Sequence, residues 1–131
     1  GMMEHDHEPR LFLIYPEGNW IEVEEMTPYL MIGAMGYGKP ILDRSLRYHS
    51  TMKTGLKLAY LSFDSTKFSS SDVGFPIDLA TFDTQSKTWR EAHLLNDDVK
   101  DMREWWNENI THLVEQAPDS AWMAKLMPPQ S

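Results

Sequence analysis

The amino-acid sequence predicts an α+β fold made of antiparallel strands, a pair of helices and a C-terminal helix. Three observations indicate this fold: an apolar stretch with a turn near the start, helical spacing of apolar side chains in the middle, and a second strand–turn–strand stretch before a last helical segment. Strands and helices therefore come in separate blocks. Such segregation favours layered α+β architecture over alternating βαβ units.

The first block predicts a β-hairpin. Residues 11–15 form a continuous apolar run, which is typical of a strand buried on both faces. Residues 16–19 have turn chemistry, and Gly18 can adopt the positive φ that a tight turn needs. Residues 20–24 supply the partner strand, and residues 29–32 predict one more short extended piece.

Two helices are predicted next. Pro40 suits the first turn of a short helix, because the N–H that proline lacks has no partner there. Thr51 can cap a second helix that runs to about Phe68.

Apolar side chains recur at helical spacing along this second helix and predict its buried face. They are Met52, Leu56, Ala59, Tyr60 and Phe63. Leu58 and Leu61 lie off this stripe, which indicates a helix packed between two layers. We therefore expect truncation of Phe63 to alanine to cost about 3–5 kcal/mol of unfolding free energy.

A second hairpin and a final helix follow. Residues 77–82 and 88–95 predict two strands joined by a short loop. Asn96 or Asp97 can cap the last long helix, which Pro118 ends. The predicted buried face of this helix consists of Val99, Met102, Trp106, Ile110 and Leu113.

The chain divides into three predicted segments. Residues 1–9 form a polar N-terminal segment, residues 10–118 a partial domain, and residues 119–131 a C-terminal turn and tail. Asp119 can cap that final turn.

Composition excludes several classes of function. The net charge of −8 argues against a surface for nucleic acid or anionic membrane. The chain has no cysteine, so it forms no disulfide and offers no thiolate nucleophile. No apolar run reaches membrane-spanning length and no leader peptide opens the sequence, so we expect a cytoplasmic protein.

Two short patterns suggest ligands but favour other interpretations. His5, Asp6 and His7 follow Glu4 and are metal-ligand types, yet a polar terminal segment is usually mobile. The glycines of residues 33–38 lack the spacing of a phosphate-binding loop, which favours a tight turn before a helix. We expect no metal and no cofactor.

Three strings resemble the second half of the Anbu family: EPRLFLIYPEGNWIEV, YGKPILDR and LSFDSTKFSSSDVGFPIDL. These proteins are bacterial proteasome-like peptidases related to the proteasome β subunit. The resemblance is closest over residues 8–79 and weaker over residues 97–119. It implies the four-layer αββα sandwich of N-terminal-nucleophile (Ntn) hydrolases, of which this chain would be the C-terminal half.

The resemblance also implies how such a protein works. The nucleophile is a threonine or serine at the mature N-terminus, with its own α-amino group as the base. This sequence begins Gly1, Met2, Met3, and the supporting Asp, Lys and oxyanion-hole glycine are expected in the other half. The resemblance therefore implies no catalytic residue here, an inactive chain as given, and peptide or protein substrates only if the N-terminal half is supplied.

Two segments are implied as an outer wall of the active site. Tyr37, Gly38 and Lys39 form the first wall segment. Ser70, Ser71 and Asp72 form the second wall segment, where Asp72 stands in place of the serine usual in the family.

Two kinds of function remain open from the sequence. One is a proteasome-type peptidase subunit represented by its C-terminal half, a threonine peptidase homologue. The other is a non-catalytic oligomerisation or binding module derived from such a subunit. Strand edges left without the N-terminal half would recruit other chains, so we expect a homo-oligomer, most simply a dimer, or association with other proteasome-like subunits.

Overall fold

The computed structural model describes residues 1–128 and confirms the α+β class. Over these residues the chain has two two-stranded antiparallel sheets, three α-helices and two short 3-10 helices. In order, they are β1 (Phe12–Ile14), β2 (Trp20–Glu22), α1 (Lys39–Ser45), α2 (Met52–Ser69), β3 (Ile77–Asp83), β4 (Thr88–Leu94), a 3-10 turn (Asn96–Val99), α3 (Lys100–Glu115) and a 3-10 turn (Met123–Lys125).

The chain forms two compact units, one spanning Gly1–Asn96 and one that begins at Asp97. The predicted segment boundaries after residues 9 and 118 stay predictions, and the end of the predicted tail, from Pro129, lies outside the described residues. None of the helices within residues 1–128 combines the length and apolar character needed to cross a membrane.

The first hairpin is present but shorter than expected. β1 and β2 pair antiparallel with Phe12 opposite Glu22 and Ile14 opposite Trp20. Gly18 has φ +86° in the turn, as predicted. The expectation that the strand is buried on both faces is wrong for this chain, since Ile14 is 72% exposed. Two strands alone offer no layer to cover either face, and residues 29–32 form no strand.

The helix pair forms as predicted. Pro40 lies at the start of α1. The Thr51 side chain caps α2 by accepting a hydrogen bond from the Thr54 N–H at 3.2 Å. Leu42 of α1 and Leu61 of α2 are both buried, so the two helices supply apolar core to the first unit.

The predicted buried face of α2 is wrong at three of its five positions and right at Tyr60. Met52, Leu56 and Ala59 are exposed, and Phe63 is only half-buried, with its ring edge on Phe75 at 5.6 Å. Tyr60 is buried, as expected. The other buried residues of the helix are Leu58, Leu61, Ser62 and Thr66.

Small hydroxyl side chains explain the error. Leu58, Ser62 and Thr66 recur every four residues and share one face of α2. The Thr66 hydroxyl donates to the Ser62 carbonyl at 2.9 Å, so its burial leaves no donor unpaired. Apolar periodicity does not reveal a buried face that is built partly from serine and threonine.

The second hairpin is confirmed. Ile77 pairs with Leu94 and Asp83 with Thr88 at its two ends. The Asp83 carboxylate accepts from the Gln85 N–H at 2.9 Å and closes the turn. The Ser86 hydroxyl also donates to this carboxylate, at 2.8 Å. The bond from Ser86 and then that from Gln85 hold the pKa of Asp83 below its ordinary value.

The last helix begins later than predicted and is not buried along its length. A 3-10 turn over Asn96–Val99 precedes it, and Val99 occupies the cap position without a side-chain cap bond. Val99 is buried, but Ile110 and Leu113 of the predicted face are exposed. Met102 and Trp106 are half-buried, so the apolar face of α3 has the predicted spacing and is covered only in part.

Substitutions on the two faces of α2 test the corrected assignment. We expect Leu61→Ala to lower the free energy of unfolding by about 2–5 kcal/mol, because Leu61 is buried at the helix pair. Leu56→Ala removes the same atoms from an exposed position and is the matched control, with an expected loss below about 1 kcal/mol. Urea denaturation measures both, and equal losses would contradict the assignment.

Candidate functional site

The two wall segments attach to the same helix at different heights. The first reaches α2 at Ser62, against which Gly38 packs. The second begins at Ser70, the residue that caps the C-terminus of α2. Ser70 lies eight positions after Ser62, which corresponds to about 12 Å along the helix axis. α2 therefore positions both segments, and neither lies directly against the other along it.

Gly38 makes the closest approach in the site. A Cβ atom at this position would lie 2.2 Å from the Ser62 Oγ and 2.7 Å from the Ser62 carbonyl oxygen. Real Cβ atoms do not approach so closely, so only glycine fits without a shift of the backbone. This contact fixes where the chain enters α1, and with it the positions of Tyr37 and Lys39.

The segment that leads to Gly38 exposes apolar side chains. Gly33 has φ +82°, a conformation that other residues rarely adopt, and it turns the chain here. Ile32 is 90% exposed, and Met35 and Tyr37 are each about half exposed. The Tyr37 ring of the first wall segment therefore lies at the surface and is open to a ligand or partner.

Lys39 is held by two partners. Its Nζ donates to the Tyr29 hydroxyl at 3.0 Å and to the Asp43 carboxylate oxygens at 2.9 and 3.0 Å. The Tyr29 hydroxyl in turn donates to Asp43 Oδ1. We call these three residues the Tyr29–Lys39–Asp43 cluster.

The hydrogen bonds of this cluster keep its two charged groups charged. The bonds to Tyr29 and then to Asp43 raise the pKa of Lys39. Those from Tyr29 and then Lys39 lower the pKa of Asp43. Lys39 thus stays protonated near neutral pH and cannot serve there as a general base.

The sequence predicted only part of this cluster. Lys39 and Asp43 lie four residues apart on one short helix, a spacing typical of a surface ion pair, and they pair at 2.9 Å. Tyr29 was missed, because it lies ten residues before Lys39 in an irregular segment. No periodicity or motif links the two positions.

The second wall segment is a polar turn. The Ser70 N–H donates to the Thr66 carbonyl at 2.8 Å and ends α2. The Ser71 hydroxyl and the Asp72 carboxylate are exposed and lie 3.5 Å apart, at the limit of a hydrogen bond. Ser71 has a carboxylate beside it rather than an imidazole base, so its hydroxyl lacks the partner that activates a serine nucleophile.

The N-terminal histidines take no part in this site. The segment folds back, with the Arg10 N–H donating to the Gly1 carbonyl at 2.7 Å and the Tyr48 hydroxyl donating to Glu8 at 3.0 Å. Within residues 1–128, the structure holds no group of three or more His, Cys, Asp or Glu side chains placed to bind a metal ion.

Comparison with known proteins gives one consistent result. Neither a family model nor a curated protein matches the sequence. Among solved structures, Anbu from Hyphomicrobium sp. strain MC1 is 38% identical, with a TM-score of 0.79 over 86% of this chain and 49% of its own. Anbu (ancestral beta-subunit) from Yersinia bercovieri is 36% identical, with a TM-score of 0.78 over 85% of this chain and 50% of its own.

A third similar structure is described as the helical assembly of the Anbu complex from Pseudomonas aeruginosa. It is 35% identical, with a TM-score of 0.76 over 86% of this chain and 48% of its own. The chain thus spans about half the length of the Anbu structures it matches.

Gly38→Ala tests the contact that places the first wall segment. We expect a loss of about 1–3 kcal/mol in unfolding free energy, because the new methyl group overlaps Ser62. Gly36→Ala is the matched control, since a Cβ there meets nothing within 4 Å, and we expect a change within about 0.5 kcal/mol.

A double variant separates the two atoms involved. Ser62→Ala removes the hydroxyl but leaves the carbonyl oxygen 2.7 Å from the new Cβ, so it should not rescue Gly38→Ala. If Gly38→Ala costs nothing in the Ser62→Ala background, the approach of the backbone is not what requires glycine.

Proposed function

This chain belongs to the Anbu-like, proteasome-type proteins, and on that premise we propose that it forms the part of a peptidase subunit that does not carry the nucleophile. The observation that supports the proposal most directly is the match to Anbu structures at TM-scores of 0.76–0.79 over 85–86% of this chain but only 48–50% of theirs. We infer that the chain builds the C-terminal half of an αββα Ntn-hydrolase sandwich.

The exposed apolar surface of the strands supports this assignment. Trp20 and Ile21 of the first hairpin are 57% and 50% exposed, and Trp89 of the second is 67% exposed. Large apolar side chains on a sheet are normally covered by a second layer. In the proposed sandwich, the other half of the fold supplies that layer.

The proposed role of the chain in the site is structural support. The chain spans about half the length of the similar Anbu structures, and the nucleophile is assigned to the other half of the fold in this proposal. We propose that the first wall segment contributes the exposed Tyr37 ring and the backbone of Gly38. The second contributes hydroxyl and backbone donors around Ser71.

We further propose that the chain associates with other subunits, including copies of itself. The Pseudomonas aeruginosa relative is described as a helical assembly. In the described residues, each of the four strands pairs with one neighbour, which leaves one edge of every strand open. The comparisons do not favour a stand-alone binding module, because each of the similar structures named here is an Anbu protein.

The first test of this function is an activity assay. We expect a purified polypeptide of this sequence to show no turnover of fluorogenic peptides, because it lacks an N-terminal threonine, serine or cysteine. The Tyr37→Ala variant is a suitable companion, since a contaminating protease would be unaffected by it. Turnover that persists through re-purification and falls in Tyr37→Ala would overturn the proposed division of roles.

The second test concerns association. Sedimentation velocity at low micromolar concentration should show a dimer or a larger species, because open apolar strand edges recruit other chains. Ile14→Lys places a charge on β1 and should shift the population towards monomer. Phe68→Lys is the control, because Phe68 is 90% exposed on α2 and lies outside both sheets. A monomer that melts cooperatively without any variant would contradict the proposal.

A further inference from the structure

We propose that Tyr29 and Asp43 are positioning residues: they hold Lys39 so that the loop of residues 30–38 keeps one arrangement beside α2. This inference rests on the proposed function, because that loop carries Tyr37 and Gly38 of the first wall segment. It assigns roles to two residues outside both wall segments. It also gives Lys39 of the first wall segment the role of an anchor.

The geometry of the cluster carries the inference. Lys39 Nζ has three N–H donors and lies 2.9–3.0 Å from three oxygen atoms, those of the Tyr29 hydroxyl and the two carboxylate oxygens of Asp43. The Nζ also lies 5.4 Å from the centre of the Tyr29 ring, within the range of a cation–π contact. Its donors are therefore directed at its own chain rather than at a ligand.

The cluster joins the two ends of the loop. Tyr29 precedes residues 30–38, whereas Lys39 and Asp43 belong to the first turns of α1. The Lys39 N–H also donates to the Met35 carbonyl at 3.3 Å, inside the same loop. A side-chain bridge across the base of a loop reduces the number of arrangements open to the residues within it.

A second fixed point lies next to the cluster. Gly38 packs on Ser62 of α2, directly before Lys39 in the chain. The loop is thus held at its end by a backbone contact and closed at its base by the Tyr29–Lys39–Asp43 cluster. Between these points Ile32, Met35 and Tyr37 remain exposed, so the fixed loop presents an apolar surface.

An isolated exposed ion pair would not fix the loop of residues 30–38 in one arrangement. Lys100 and Glu104 on α3 have the same i, i+4 spacing at 3.7 Å, and exposed pairs of this kind contribute little to stability. Lys39 differs in having a second partner, Tyr29, that lies outside the helix. Glu104→Gln is therefore a matched control that removes a lysine partner without touching a loop.

The experiment is NMR spectroscopy on the full chain labelled at the tyrosine Cζ atoms and with ¹⁵N, using Tyr29→Phe to assign the Tyr29 signal. We expect Asp43→Asn to lower the pKa of the Tyr29 phenol and Lys39→Met to raise it, because the two partners act on the phenol in opposite directions. A general loss of structure would move both variants the same way.

The loop itself is read out by backbone order parameters. For residues 31–37 we expect values typical of rigid backbone, about 0.85, to fall below about 0.6 in Asp43→Asn, Lys39→Met and Tyr29→Phe. Asp43→Glu keeps the carboxylate charge and should therefore keep most of the backbone order of residues 31–37. Glu104→Gln should leave the loop unchanged.

Two results would overturn the inference: pKa shifts of Tyr29 with the same sign in Asp43→Asn and Lys39→Met, or a loop whose order parameters do not respond to any of the three variants. None of these measurements uses a substrate. Absence of peptidase activity after assembly with a half that carries the nucleophile would refute the function proposed above and leave the cluster standing, whereas an unresponsive loop would refute the positioning role alone.

Discussion

The contact between Gly38 and Ser62 is the constraint on which the first unit of the chain depends. The buried apolar residues of that unit, Leu42, Leu58, Tyr60 and Leu61, all belong to α1 or α2. How closely the two helices approach is set where the chain enters α1, and there a glycine lies against the backbone of α2. A side chain at this point would separate the helices and open the small core between them.

The small core explains why both hairpins leave apolar side chains exposed. Over residues 1–128, only five apolar residues are buried, and four of them lie in the helix pair. The strands contribute half-buried positions and exposed aromatic rings, with Phe12 edge-on to Trp20 at 5.1 Å and Phe82 beside Trp89 at 4.9 Å. Pairs like these stabilise each hairpin locally, but they leave apolar surface that a further layer would have to cover.

Local sequence signals predicted the positions of the helices and strands well, but they did not predict which side chains are buried or which distant residues are in contact. The turn at Gly18, the cap at Thr51 and the start at Pro40 each depend on a few adjacent residues, so they can be deduced from the sequence. The buried face of α2 depends on where a glycine packs, and it selects Ser62 and Thr66 over Met52 and Leu56. The two wall segments could be predicted from the resemblance to the family. Tyr29, the partner of Lys39, could not, because its position depends on the path of an irregular loop.

The charge states of the Tyr29–Lys39–Asp43 cluster determine whether its hydrogen bonds depend on pH. The pKa of Asp43 lies below its ordinary value of 3.8, so the stability it contributes is present above that pH and is lost only as the pH falls through the lower value.

The other two groups titrate at the opposite end of the scale. The pKa of Lys39 lies above its ordinary value of 10.5, and burial, more than the bond to Asp43, raises that of Tyr29 above 10.0. Their contributions are present below those ordinary values and disappear as the pH rises through the raised ones. From about pH 5 to about pH 9, therefore, no member changes charge. The cluster is a fixed support for the loop across that range and not a pH-sensitive switch.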